Sequence, residues 1–374
     1  MSAERIPLVD LSVQSDLIAG EVARGFEEVI ASSAFIGGPA VAAFEADFAA
    51  FCGVEHSVGV ANGTDAIELS LRAAGIEPGD EVILPTNSFI ATAEAVTRAG
   101  GTPVLVDCDP DDLLIDPAAV AAGIGSSTRA VVPVHLYGRL APMDALHAAV
   151  DNRSVLMIED AAQAQGARRN ERGIGSWAQA AATSFYPGKN LGAYGDGGAV
   201  LTNDAAIAAD VRSRRDHGRA GRHHHELIGT NSRLDTLQAV VLRAKLRHLH
   251  EWNALRIEAA ARYQEMLSDS PGVTVPRLGP EGESVWHLYV VRVRNRDAVL
   301  TSLHEKGIGA GVHYLLPIHL QPAFAYLGYS RGDFPVAEAA AEEILSLPLY
   351  PGITAAQQLR VCEALRAAVT RHAA

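Results

Sequence analysis

The chain has 374 residues, 48% of them hydrophobic and 20% charged, with a formal net charge of −13; that length allows a large domain of roughly 250 residues plus a smaller one, and the balance is that of a folded protein rather than a disordered one. So acidic a chain is a poor match for nucleic acid or an anionic membrane, whose surfaces select basic patches. Cys52, Cys108 and Cys362 are odd in number and far apart, which argues against a disulfide framework or a zinc motif and for reduced thiols; no basic-then-apolar leader follows Met1, and no run approaches the ~20 apolar residues of a bilayer span, so a cytoplasmic location is expected.

The first strong pattern is Val41, Phe44, Phe48 and Phe51, whose spacings of three and four predict one buried face of a helix entered at Pro39. From about residue 57 to 202 short β-rich runs alternate with helical ones, the pattern of a parallel sheet wrapped by helices. The expected strands are Ser57–Val60, Glu81–Leu84, Pro103–Asp107, Arg129–Val134, Ser154–Ile158, Ala181–Tyr186 and Ala199–Thr202, with helices such as Asp65–Ala74 and Ser88–Gly100 between them. A Pro-free helical pattern then runs from Ser232 to Met266, long enough to link two domains. After Pro271 the texture predicts a strand at Val285–Val293, a helix at Arg296–Lys306, an irregular stretch at Gly311–Pro322 and two final helices. The expected division is residues 1–250 as a large α/β domain, including the N-terminal segment and the start of the long helix, and 251–374 as a small C-terminal α+β domain.

Two strand ends carry chemistry. Ser154–Ile158 is nearly all apolar and runs into Glu159-Asp160-Ala-Ala-Gln163, at the edge where open α/β sheets bind ligands. Alone, Asp160 is better read as the cap of a following helix. Ala181–Tyr186 delivers Pro187-Gly188-Lys189 to the same edge, with Gly192, Gly195, Gly197 and Gly198 behind it. A lysine in a partly apolar pocket loses pKa and becomes a usable amine, and glycines let backbone approach a flat ligand. A phosphate-loop reading fails for want of the preceding spaced glycine and the following Ser or Thr. An Asp and a Lys on neighbouring strand ends suit pyridoxal phosphate, the Asp holding the ring nitrogen's proton and the Lys forming the Schiff base. Asn62-Gly63-Thr64-Asp65 opens a helix after a strand and offers a site for the phosphate.

With these pieces the chain resembles the DegT/DnrJ/EryC/StrS sugar aminotransferases, of the fold-type I pyridoxal-phosphate enzymes. The resemblance is carried by Phe35-Ile-Gly-Gly-Pro39, Asn62-Gly-Thr64, Glu159-Asp-Ala-Ala-Gln163, Ser184-Phe-Tyr-Pro-Gly-Lys-Asn190, Gly229-Thr-Asn-Ser-Arg-Leu-Asp235 and His313-Tyr314. It implies a mostly parallel central sheet wrapped by helices, with a smaller C-terminal α+β domain. It also implies Lys189 as the Schiff-base lysine, Asp160 at the pyridine nitrogen, Gln163 near the ring hydroxyl and Phe89 stacked on the ring. Gly63, Thr64 and Ser184 would hold the phosphate, joined by Asn231 of a second subunit, which makes a homodimer necessary. Tyr186, His313, Tyr314 and His319 match positions near the sugar, though His319 reads equally well as a structural histidine.

The run Arg212, Arg214, Arg215, Arg219, Arg222 is the one dense positive stretch; a solvated face is the plainer reading for the run as a whole, while the resemblance puts Arg219 and Arg222 within reach of a nucleotide diphosphate. His223-His224-His225 cannot all face one ion, so no metal site is expected. The implied reaction moves an amino group from an amino acid, L-glutamate by resemblance, to a dTDP-linked keto-deoxysugar at carbon 3, in amino-sugar or antibiotic biosynthesis. The alternatives are amination at carbon 4 and a non-catalytic nucleotide-sugar-binding homologue. A related sugar dehydratase carries His where Lys189 stands.

Overall fold

A computed structural model of the protein describes residues 5–151, 153–221, 223–277, 279 and 283–372. Among them seven strands form the central sheet: β1 (His56–Val60), β2 (Glu81–Pro85), β3 (Thr102–Val106), β4 (Thr128–Val131), β5 (Leu156–Asp160), β6 (Ala180–Ser184) and β7 (Gly198–Thr202). Their order across the sheet is β1-β7-β6-β5-β4-β2-β3. Val58, Val82, Leu84, Ala130, Ile158, Ala182 and Val200 sit in one core, and Ile83, Val131 and Met157 in the core on the other face. Burial on both faces is why these strands read as unbroken apolar runs.

The sheet is mostly parallel, as its alternating pattern predicts, with one reversal: β7 runs antiparallel to both β1 and β6. Loop 185–197 joins β6 to β7 without a crossover helix, and a parallel return ordinarily needs one. Pairing sets Asp160 beside Ala182, and Ser184 and Val60 on either side of Gly198. The ends of β5, β6 and β1 thereby share one edge.

The aromatic stripe lies on the helix Pro39–Cys52, where Phe44 and Phe48 are fully buried and meet Phe185 edge to face. In place of one helix over Ser232–Met266 there are two, Thr236–Leu246 and Leu249–Leu267. At the break the His248 N–H turns back to Lys245 O, Lys245 is tied inward by its ammonium to Gly192 O at 2.7 Å, and His248 stacks on Trp252. The second helix buries Ala259, Ala260, Tyr263 and Leu267 against an antiparallel sheet of β8 (Val273–Thr274), β9 (Tyr289–Val293) and β10 (Ile344–Leu347). Ile6 packs in this same core and bridges to Ile308. The β9 strand begins four residues later than Val285 because Trp286, at φ +47°, is left-handed and cannot extend the strand. No described helix is long and apolar enough to cross a membrane.

Candidate active site

The floor of the site is the end of β5. Asp160 is 5% exposed; its Oδ2 accepts the Thr92 hydroxyl at 2.8 Å and its Oδ1 the Ala162 N–H at 3.2 Å. Burial pushes its carboxyl above the usual range, opposed by those two hydrogen bonds and by the charge of Lys189. Beneath it Glu159, also fully buried, accepts the His135 ring at 2.9 Å and the N–H groups of Gly175 and Trp177. The other His135 nitrogen, Nδ1, accepts the Ala141 N–H, so Nε2 carries the proton that Glu159 receives. The EDAAQ motif thus divides by strand alternation: Glu159 braces the far side while Asp160 faces the cleft.

Lys189 follows β6 in a turn closed by its N–H on Tyr186 O at 2.8 Å. Among the described residues its ammonium has no hydrogen bond or ion pair. Desolvation pulls its pKa from 10.5 down to about 8, only partly offset by the Asp160 charge. Two histidines share its surroundings and are held neutral chiefly by burial, then by the Lys189 charge: His313 falls to about 4, and His287 falls well below its ordinary value. His287 Nδ1 lies 3.2 Å from Asn190 Oδ1 and His313 Nδ1 lies 2.8 Å from Ser346 Oγ.

At the edge beside Lys189, Asn62 caps the helix Gly63–Ala73 by accepting the Asp65 N–H at 2.8 Å. Gly63 abuts Ser184 so closely that a Cβ on it would fall 2.6 Å from Ser184 Cβ. The helix start, with Thr64 in its first turn, and the Ser184 hydroxyl therefore form one cradle with an N-terminal dipole behind it.

The remaining wall belongs to Gln163 and Tyr314. Gln163 accepts the Tyr137 N–H at 2.6 Å and donates to the Tyr314 hydroxyl at 3.1 Å, while the Tyr137 hydroxyl donates to His313 O. Phe89, 51% exposed, lies 5.2 Å from the Tyr314 ring. Tyr186 is 60% exposed at the mouth. His319 is different. It is buried, with Nδ1 2.8 Å from Thr86 Oγ1 and Nε2 3.0 Å from Glu338 Oε1. Both ring nitrogens are taken, so the reading of His319 as a sugar contact is corrected: it is a structural histidine.

Much of the arginine run is likewise occupied. Arg214 pairs with Asp210, Arg215 with Glu45 and Gly59 O, and Arg219, half exposed, with Asp216 at 3.1 Å. Arg219 and Asn231 are joined through Asp216, which pairs with Arg219 by charge and with Asn231 by a β-bridge. Arg222 lies outside the described residues. His223, His224 and His225 are exposed, and His225 is tied to His217 O. The residues that motif reading missed are Thr92, Ser88, His135, Tyr137 and His287.

The family model for the DegT/DnrJ/EryC1/StrS aminotransferase family matches residues 16–366. The chain is 47% identical over 349 residues to the erythromycin biosynthesis sensory transduction protein EryC1 of Saccharopolyspora erythraea, covering 93% of this chain and 95% of that one. It is 45% identical over 362 residues to the dTDP-3-amino-3,4,6-trideoxy-alpha-D-glucose transaminase of Streptomyces venezuelae, covering 97% and 96%. The crystal structure of S. venezuelae DesV in complex with a ketimine intermediate superposes with a TM-score of 0.95 at 44% identity, covering 98% of each chain. With the family model spanning nearly its whole length and such relatives on either side, the chain belongs to the DegT/DnrJ/EryC1/StrS aminotransferase family.

Proposed function

We propose that the protein transfers an amino group from an amino acid, L-glutamate, to the carbon-3 ketone of a dTDP-linked deoxysugar. The observation that carries this reading is the pairing of an unpartnered Lys189 amine, at a pKa of about 8, with the Asp160 carboxylate on the neighbouring strand end. Relatives named as 3-amino-sugar transaminases support the carbon.

The cofactor of this family is pyridoxal phosphate, and the residues fit it. The Gly63–Ser184 cradle suits the phosphate, since only a glycine leaves the space. Asp160 at the closed end suits the ring nitrogen, and Phe89 offers a free aromatic face. When bound, the cofactor supplies the aldehyde that carries the amino group and a ring that withdraws electrons from the reacting carbon. Asp160 holds the proton on the ring nitrogen, Gln163 and Tyr314 set the ring's oxygen edge, and Gly63, Thr64 and Ser184 hold the phosphate. With the cofactor bound, Lys189 Nζ would be its point of attachment and, once free, the base that carries a proton at the reacting carbon. Tyr186, His313 and Tyr314 orient the sugar, and Arg219 meets the diphosphate.

The working form in this reading is a homodimer, with Asn231 reaching the partner's phosphate site. The cytoplasm is its place, and the domain boundary falls near residue 250. Purified protein should be yellow, glutamate should bleach it, and borohydride should fix the chromophore to Lys189. A colourless protein indifferent to added pyridoxal phosphate would end this reading. Product analysis with dTDP-linked 3-keto and 4-keto sugars decides the carbon.

A further inference from the structure

We infer that Thr92 and Ser88 form a hydroxyl relay that holds the Asp160 carboxylate ionised and aimed, making Thr92 a positioning residue for the cofactor's ring nitrogen. The inference rests on the proposed pyridoxal-phosphate reading and deepens it. Asp160 is pushed towards its neutral form by burial, and a neutral carboxyl could not keep a proton on a pyridine nitrogen. Something must pull the other way. The one positive charge beside it is Lys189; the Tyr314 hydroxyl, if ionised, would push the same way as burial. Lys189 is itself driven towards neutrality, and His135 is already committed to Glu159. What remains are hydrogen bonds to the carboxylate itself, from Ala162 N–H at 3.2 Å and Thr92 Oγ1 at 2.8 Å.

The protons in this chain can be placed. An ionised carboxylate only accepts, so the single Thr92 proton goes to Asp160 Oδ2. Thr92 Oγ1 also lies 2.8 Å from Ser88 Oγ. With its own proton spent on Asp160, Thr92 accepts there, and Ser88 donates. Among the described residues the only other acceptor for Ser88 is Phe89 O at 3.3 Å. Both hydroxyl dipoles therefore point at Asp160, and each strengthens the next in a buried setting. Were Asp160 protonated, it could donate to Thr92, and the whole chain would turn round towards Phe89 O. The relay thus favours the ionised state, and it starts from the residue adjoining the exposed ring of Phe89.

The test uses the full-length protein, with pyridoxal phosphate titrated into the apo form and the visible band followed against pH. Thr92→Val keeps the shape and removes the hydroxyl; it should weaken cofactor binding about 10- to 100-fold, the range expected for a lost hydrogen bond to a charged group. The pH midpoint of the visible band should rise, because a ring nitrogen that loses its proton no longer lowers the basicity of the Lys189 nitrogen. Thr92→Ser should restore both values to within about twofold, and Ser88→Ala should move both in the valine direction by a smaller factor, about 2- to 5-fold. Wild-type affinity and midpoint in Thr92→Val would overturn the relay, as would a serine variant as impaired as the valine one. If the valine variant does not fold, Ser88→Ala with unchanged affinity and midpoint overturns it instead. Failure of the wild-type protein to bind pyridoxal phosphate at all would count against the cofactor reading, which is a separate outcome.

Discussion

The floor and the rim of the cleft are built on opposite plans. On the floor His135 and Glu159 are fully buried, Asp160 and Gln163 are 5% exposed, and each is held by named hydrogen bonds within one chain. At the rim Phe89, Tyr186, Ile228 and Asn231 are exposed, and the loop that carries the last two is fastened by backbone hydrogen bonds such as Thr230 N–H to Arg214 O and by the bridge to Asp216. A floor of this kind fixes its dipoles before any ligand arrives, which is how polar groups stabilise a developing charge without reorganising. A rim of this kind acquires its partners on binding. Floor substitutions should therefore abolish chemistry, and rim substitutions should change substrate affinity.

The largest expected effect is at Lys189, where Lys189→Ala should lower turnover by about 10^4-fold or more, since it removes both nucleophile and proton carrier. The same residue gives a pH signature in the apo-protein. Its folded pKa of about 8 lies below the ordinary 10.5, so between those values the unfolded chain binds more protons and stability rises with pH. Lys189→Met should remove that slope and raise apo-protein stability at pH 7 by at most about 3 kcal/mol. Lys245, with a similar shift, stays in both proteins and cancels in the comparison. Thermal melts from pH 7 to 10.5 check it; a variant that melts below wild type at pH 7 would contradict the placement of Lys189 as a half-buried, unpaired and desolvated amine.

Next is Asp160→Asn, which should cost about 3–5 kcal/mol of cofactor and transition-state stabilisation. Steady-state rates some 10²- to 10³-fold lower and readily lost cofactor on dialysis are the expected outcome. A smaller effect, confined to stability, is expected of His319→Ala. It leaves Thr86 and Glu338 without their shared partner and should destabilise the protein by about 1–3 kcal/mol, with the KM for nucleotide sugar changed less than about twofold. A large KM change with unaltered melting would restore His319 to the sugar site.

The unequal legibility of these parts has a physical cause. Strand ends were readable because burial on both faces makes an apolar run and its polar terminus stands out, as at Ile158-Glu159-Asp160. Lys189 was readable because a lysine beside Pro-Gly at such an end is rare in ordinary packing. Thr92 and His135 were not, because each acts through a carboxylate more than twenty positions away, and Ser88 was not, because it acts only through Thr92. His319 misled because a histidine in an irregular Pro-rich stretch looks the same in sequence whether it faces a sugar or Glu338. The helix break at His248 was hidden for a similar reason: no Pro or Gly marks it, and it coincides with the buried tether from Lys245 to Gly192 O.

The smallest predicted effect separates the two readings of the arginine run. Arg219 is about half exposed, and its ion pair with Asp216 at 3.1 Å contributes on the order of 0–1 kcal/mol to stability. Asp216 also keeps Arg233 at 3.2 Å. Arg219→Ala should then leave the melting temperature almost unchanged. If Arg219 meets the substrate diphosphate, its loss should raise KM for the nucleotide sugar about 3- to 10-fold at constant kcat, and added salt should narrow the gap because exposed charge pairs are screened within about 10 Å at 0.1 M. The KM for glutamate, which carries no diphosphate, should stay put. An unchanged KM for both substrates would assign the run to solvent, and the rim would then owe its affinity to the aromatic and hydroxyl groups of Tyr186 and Tyr314 rather than to charge.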